Sequence, residues 1–247
     1  MRFARCLFLL ALLSLTVSCA SHKTHDTETM PQAEKNVDPW EGFNRKMFAF
    51  NKTLDRWILK PVAKTYDFIL PDFVQVGIGN FFRNIGEVGN VGNDILQWKW
   101  KQAGVDTSRF LVNTTLGVAG LFDVATKMGL EEDEGEDAGQ TFERWGIKQG
   151  PYVVLPFFGP STVREAFAKP VDILLDPVTY VDDPDTRLGL SATRIVHQRY
   201  ELFDDEELLS GDEYLFIRDA YLQRRQYLYD DGEIDENYED DFGDEDF

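Results

Sequence analysis

The chain has 247 residues, and 44 Asp and Glu against 25 Lys and Arg leave a formal charge of −19. An acidic chain with no basic stripe lacks what binding to phosphate backbones requires, so nucleic acid is excluded as a partner. Both cysteines, Cys6 and Cys19, fall in the N-terminal leader, and only His197 of the three histidines lies in the body; this argues against a disulfide framework, a metal site or a catalytic histidine there.

Arg2 and Arg5 form a short basic region ahead of a largely apolar run, Cys6 to Val17. Twelve residues are too few to span a bilayer, which takes about 20, but they suit the core of an export signal. Small residues then surround Cys19. This end resembles a bacterial lipoprotein lipobox, with Thr16 where Leu is usual, and the resemblance implies cleavage before Cys19 and acylation of its thiol. Ala20 and Ser21 follow, rather than the Asp that keeps many lipoproteins in the inner membrane, so the expected destination is the outer membrane, with the protein anchored on its periplasmic face. Residues 1–18 are read as signal peptide and 19–37 as a polar, flexible tether.

The folded domain is expected over 38–229. Asp38-Pro39-Trp40-Glu41 predicts a helix start, with Asp38 as cap and Pro39 in the first helical position. Phe43, Met47, Phe48, Phe50, Leu54, Trp57 and Ile58 follow at near-helical spacing, a stripe that suits either a protein core or the interfacial region of a bilayer. Val76 to Asp94 carries five glycines among Phe81, Phe82, Ile85, Val88 and Val91; at about 1 kcal/mol per helical glycine this predicts broken helices, close crossings or a loop. Helix is expected to resume over Ile95 to Trp100, and a further helix to be capped by Asp106 or Thr107. The acidic run Glu131 to Asp137 reads as a solvated loop. Trp145 to Ser161 is dense in Gly and Pro and predicts an ordered, hairpin-like loop with Tyr152, Phe157 and Phe158 exposed. Pro170 and Pro177 mark turns, and helices are expected over 187–202 and 214–228. The strand signal is weak throughout, so the fold class is mostly α. Residues 230–247 hold eleven acidic side chains and no Lys or Arg, the composition of a disordered tail.

Enzymatic motifs are missing from the sequence: no Gly-x-Ser-x-Gly, no P-loop, no dinucleotide fingerprint and no His-Glu-x-x-His. Nothing selects a catalytic residue, a metal site or a cofactor.

Four segments in order carry a resemblance: Asp38-Pro39-Trp40-Glu41-Gly42-Phe43-Asn44-Arg45; Arg109-Phe110 with Asn113-Thr114, Gly117, Gly120 and Asp123; Gly139-Gln140-Thr141 with Trp145-Gly146, Gly150-Pro151-Tyr152, Leu155-Pro156 and Gly159-Pro160-Ser161; and Arg218 with Ala220-Tyr221 and Gln223-Arg224-Arg225. Together they resemble the MlaA (VacJ) family of outer-membrane phospholipid-transport lipoproteins, over about residues 38–230. Phe142-Glu143, Lys148 and Glu165 depart from the usual pattern. The resemblance implies a ring-like bundle of amphipathic helices embedded in one membrane leaflet, with a hairpin-like loop. The implied role is to remove misplaced phospholipids from the outer leaflet through a polar channel and to hand them to a soluble periplasmic lipid-carrier protein, in association with a trimeric porin. Asn113, Asp123, Gln140 and Arg164 are candidate channel-lining residues, equally readable as caps and buried structural hydrogen bonds. The candidate gate is the loop bearing Gly146, Gly150, Pro151, Tyr152, Pro156 and Gly159. Two other readings stand beside transport: a non-transporting envelope adaptor that holds porins and periplasmic partners, and a phospholipid hydrolase, which the missing motifs disfavour.

Overall fold

Proline placement sets several helix boundaries. The computed structural model describes residues 36–203 and 211–232; Cys19, the rest of the leader, nearly all of the tether and most of the acidic tail lie outside the described residues. Helix α1 spans Glu41–Leu54 and passes through a π-helical turn, Asp55–Leu59, into α2, Lys60–Ile69. Pro61 has no N–H to return to the preceding turn, so the hydrogen-bond ladder widens just ahead of it. Pro71 ends α2 by forcing Leu70 into an extended conformation, φ −94° and ψ 127°. Then come α3 (Asp72–Leu96), α4 (Trp100–Thr115) and α5 (Ala138–Arg144). A two-stranded antiparallel hairpin, β1 (Tyr152–Leu155) and β2 (Gly159–Thr162), interrupts the helices. Helices α6 (Val163–Leu175), α7 (Pro184–Glu201) and α8 (Glu213–Tyr229) complete the described chain. The protein is mostly α, as expected. Among the described residues no helix is long and apolar enough to cross a membrane.

Several local expectations give way to tertiary packing. Asp38 does not cap α1: Trp40 holds that position without a side-chain bond, and the Asp38 carboxylate accepts from Asn44 and Tyr214 instead. The glycine-rich stretch is one unbroken helix, α3. Two of its five glycines mark close approaches: a Cβ on Gly79 would lie 2.6 Å from His197 Nε2, and one on Gly92 would lie 3.2 Å from Leu175. Helix does not run through to Trp100; a turn with Trp98 at φ +66° separates α3 from α4, and Asp106 and Thr107 sit inside α4. Pro170 lies within α6 rather than at a turn. Tyr152 is 1% exposed rather than on the surface, packed against Tyr214 and Tyr221, whereas Phe157 and Phe158 are exposed.

The hairpin is held by a helix in place of a third strand. Asn44 and Asn51 stand two turns apart on one face of α1. Asn44 donates to Asp38 at 2.7 Å and to the Tyr152 carbonyl at 3.1 Å, and accepts from Val154 N–H at 2.9 Å. Asn51 donates to the Leu155 carbonyl at 2.9 Å and accepts from Phe157 N–H at 2.8 Å. These side-chain amides satisfy the outer edge of β1, which would otherwise present bare backbone groups. Asn44→Ala leaves a buried N–H and carbonyl unpaired and is expected to cost about 2–4 kcal/mol. A lowered melting temperature with faster proteolysis at residues 150–160 is the expected readout; an unchanged melting temperature would exclude the clamp.

Candidate functional site: a paired polar interior

The distribution of polarity is reversed. Buried hydrophobic residues number nine among those described, five of them alanine, against twenty buried polar or charged residues. Large apolar side chains point outward: Phe68 is 91% exposed, Phe73 78% and Trp57 75%. Scattered surface hydrophobics are normal, but buried charges and broad exposed aromatic surface are the informative departures.

This inversion is written into helix faces. Along α3, Asn84, Glu87 and Asp94 recur at steps of three and seven residues, with Gln97 buried just past its end; along α4, Ala103, Asp106, Arg109 and Asn113 recur at steps of three or four, and all are buried. The two stripes meet as antiparallel rungs. Asn84 donates to Thr114 Oγ1 at 2.9 Å. Arg109 donates to Glu87 at 2.8 Å, with side chains only 3% and 4% exposed. Asp94 faces Asp106, whose other oxygen accepts from Gln102 at 2.8 Å.

The rungs differ in charge balance. Burial pushes Glu87 up to about 7 despite its bond to Arg109. Burial, then the charge of Asp133 and the Asp94 carboxyl, pushes Asp106 up to about 8. Two facing carboxylates are costly to ionise together out of water, and burial raises Asp94 as well, to about 6. The loop after α4 closes this end. Asn113 donates to Asp123 at 3.1 Å and accepts from Val124 and Ala125 N–H at 2.8 and 2.9 Å. Against the upward push of burial, bonds from Thr126 and Asn113 and the nearby Arg109 hold Asp123 below the usual carboxylate range. Gly120, at φ +87°, lets this loop press on Asn84; a Cβ there would come within 2.6 Å.

A second charged cluster joins α5, α6 and α8. Arg225 grips Asp137 with both terminal nitrogens, at 2.5 and 3.0 Å, and reaches Glu165 at 2.8 Å. Tyr229 donates to Glu165, and Gly139 exists because Glu165 occupies the space a Cβ would need. Arg164, only 2% exposed, donates to the Ile147 carbonyl at 2.8 Å, pairs with Glu143 and lies 4.3 Å from the Tyr229 ring centroid. A cleft of about 710 Å³ opens between the α3–α4 turn, the acidic loop and the end of α8; a smaller cavity of about 250 Å³ adjoins it.

The four candidate lining residues are therefore placed differently. Asn113 and Asp123 bond each other in the closure of α4. Gln140 lines both cavities and donates to the Gly135 carbonyl at 2.9 Å. Arg164 underlies the approach to the hairpin. Among the candidate gate residues, Gly146, Gly150 and Gly159 take φ of +81°, +72° and +77°, conformations that favour glycine. Pro151 and Tyr152 begin the anchored strand, and Pro156 stands at the tip. The acidic loop is not wholly solvated, since the Glu136 side chain is 8% exposed and bound by Lys99 at 2.6 Å. In the sequence Asp106 reads only as a possible helix cap, and Glu87 and Asp94 do not stand out; the helical spacing of polar residues along α3 and α4 is the signal that marks them.

Because Glu87 and Asp106 are raised, the native state retains protons that the unfolded chain releases. The contribution of these two groups to stability is then fully present at low pH and is lost as pH rises from the ordinary Asp value of 3.8 to about 8. Asp106→Asn, which mimics the protonated acid, is expected to melt increasingly above wild type across that window in detergent solution. A difference that does not vary with pH would exclude a protonated Asp106.

Comparison with known proteins places this geometry. Residues 36–228 match the MlaA lipoprotein family. The intermembrane phospholipid transport system lipoproteins MlaA of Shigella flexneri and Escherichia coli are each 34% identical over 226 residues, covering 90% of this chain and 87% of theirs. An uncharacterized Rickettsia typhi protein is 36% identical over 193 residues, 76% of each chain. A solved structure reported as the "Structural basis for maintenance of bacterial outer membrane lipid asymmetry" superposes with a TM-score of 0.69 at 34% identity, covering 78% of this chain and 98% of that one.

Proposed function

We propose, from the premise that the chain belongs to the MlaA lipoprotein family, that it removes misplaced phospholipids from the outer leaflet of the outer membrane and delivers them to a soluble periplasmic lipid carrier. The supporting observation is the reversed polarity: twenty buried polar residues inside and aromatic side chains such as Phe68, Phe73 and Trp57 outside. Such a body is matched to hydrocarbon on its surface and to a charged headgroup within. Moving a headgroup through hydrocarbon is costly unless polar groups receive it. Helices suit the lipid-facing role because their backbone bonds are internal.

In this reading the helices form a ring in the inner leaflet, tethered through acylated Cys19 and seated beside a trimeric porin. The polar interior, with Gln140 and Arg164 on its path, accepts the headgroup while the acyl chains follow the apolar surface. The loop from Gly146 to Gly159 gates passage: it is fixed at Asn44 and Asn51 on one side and at Arg164 through Ile147 on the other. No bond is made or broken, so no catalytic residue is needed.

The test is surface phospholipid in cells lacking the protein, complemented with wild type or with Gly146→Ala/Gly150→Ala. Both glycines hold positive φ, where a Cβ costs about 1 kcal/mol each, enough to change the loop without unfolding the domain. Accumulation in the deletion strain, restored by wild type and not by the well-expressed variant, is expected. Unchanged surface lipid on deletion would reject transport and favour an adaptor role.

A further inference from the structure

The large cleft beside the α3–α4 turn carries features that pairing within the protein leaves unused. Its lining includes three cations and four carboxylates. Lys99 is taken by Glu136 and Asp231, and Glu134 by Arg224. Lys101 and Arg144 face the same cleft with no carboxylate partner among the described residues. Helix α4 begins at this point. Its N-cap, Lys99, offers no side-chain acceptor, and the first intrahelical bond is Ala103 N–H to Lys99 carbonyl at 3.0 Å. The amides of Trp100, Lys101 and Gln102 precede that bond, at the positive end of a 16-residue helix. Two cations unpaired among the described residues and an uncapped helix N-terminus around one cleft suit a phosphate group.

The remaining lining narrows the ligand. Among the described residues Asp133 accepts only the Gly135 N–H, at 2.9 Å, and has no cation partner. Trp98 and Trp100 meet edge to face, 5.7 Å apart, and are 75% and 58% exposed. Trp98 stands at φ +66°, an uncommon conformation for a residue with a side chain. Aromatic faces beside a carboxylate attract an ammonium group. A ligand bearing a second negative charge would meet a lining already richer in carboxylates than in cations. The volume of about 710 Å³ falls within the range of ligand sites and exceeds what a free phosphate needs.

We propose that this cleft binds the zwitterionic phosphodiester headgroup of a phospholipid, phosphate against Lys101, Arg144 and the α4 N-terminus, ammonium against Asp133 and the Trp98–Trp100 pair. The assignment rests on the lipid-transport reading and adds a headgroup preference to it. Gln140 and Arg144 also line the adjoining smaller cavity, so the bound headgroup would sit at an entrance to the polar interior.

Calorimetric titration of the full-length lipoprotein in non-ionic detergent separates the outcomes. The probes are dihexanoyl phosphatidylethanolamine, dihexanoyl phosphatidylglycerol and inorganic phosphate. Wild type is expected to bind the ethanolamine lipid about tenfold more tightly than the glycerol lipid. Lys101→Gln and Arg144→Gln should each weaken ethanolamine-lipid binding about tenfold, as loss of one charge-assisted bond does. The conservative pair Lys101→Arg/Arg144→Lys should retain binding, which separates charge from shape. Binding indifferent to both Gln variants, or equal for the two lipids, overturns the proposal. Displacement of the lipid by phosphate at equal concentration reassigns the cleft to free phosphate and also overturns it. Surface lipid in the deletion strain is read separately, so loss of the headgroup site and loss of the transport reading remain distinct results.

Discussion

Everything in this structure depends on a polar interior that must satisfy itself. Glu87 and Arg109 are almost wholly withdrawn from solvent, and an ion pair there gains little over apolar packing while costing several kcal/mol if broken. Such an arrangement is poorly explained by stability alone. Asn84 with Thr114, Glu87 with Arg109 and Asp94 with Asp106 bind α3 to α4 through groups that water would solvate just as well. The apolar side chains that ordinarily fill a core are instead turned outward, where lipid supplies the contact that neighbouring side chains supply elsewhere.

The same logic governs the hairpin. A two-stranded ribbon is marginal by itself, and here α1 replaces a missing strand with Asn44 and Asn51. Asp38 joins the clamp rather than the helix end, because Asn44 and Tyr214 need an acceptor and α1 can start without a side-chain cap. At the tip the Phe157 N–H is held by Asn51, while the Phe157 and Phe158 side chains remain exposed. Arg164, reaching the Ile147 carbonyl from beneath, ties the approach of the hairpin to the charged cluster of α5, α6 and α8.

Much of the fold was legible along the chain. The Gly- and Pro-rich hairpin read correctly because proline chemistry is local. The glycine-rich stretch did not: propensity argued for a broken helix, but Gly79 and Gly92 are glycines because His197 and Leu175 lie against them, and that packing outweighs the local cost. Tyr152 looked exposed because its burial comes from Tyr214 and Tyr221, far away in sequence. Asn113 and Asp123 stood out in the motif as polar candidates, yet a motif cannot say which neighbours a polar group bonds; here Asn113 bonds Asp123 and the amides of Val124 and Ala125.

By itself the sequence determined that the protein is mostly helical, that its body lacks cysteine, and that its segments follow the order of the MlaA family. Those properties depend on composition and on neighbours within a few residues. Only the tertiary structure decided which face of each helix is inside. An amphipathic helix has the same periodicity whether its apolar stripe meets a core or lipid, and the direction is set by what the opposing helix presents. Here α4 presents Asp106 and Arg109 to α3, so charge meets charge in the interior and the aromatic faces are left outside. That choice depends on residues brought together from distant parts of the chain, which no local pattern encodes.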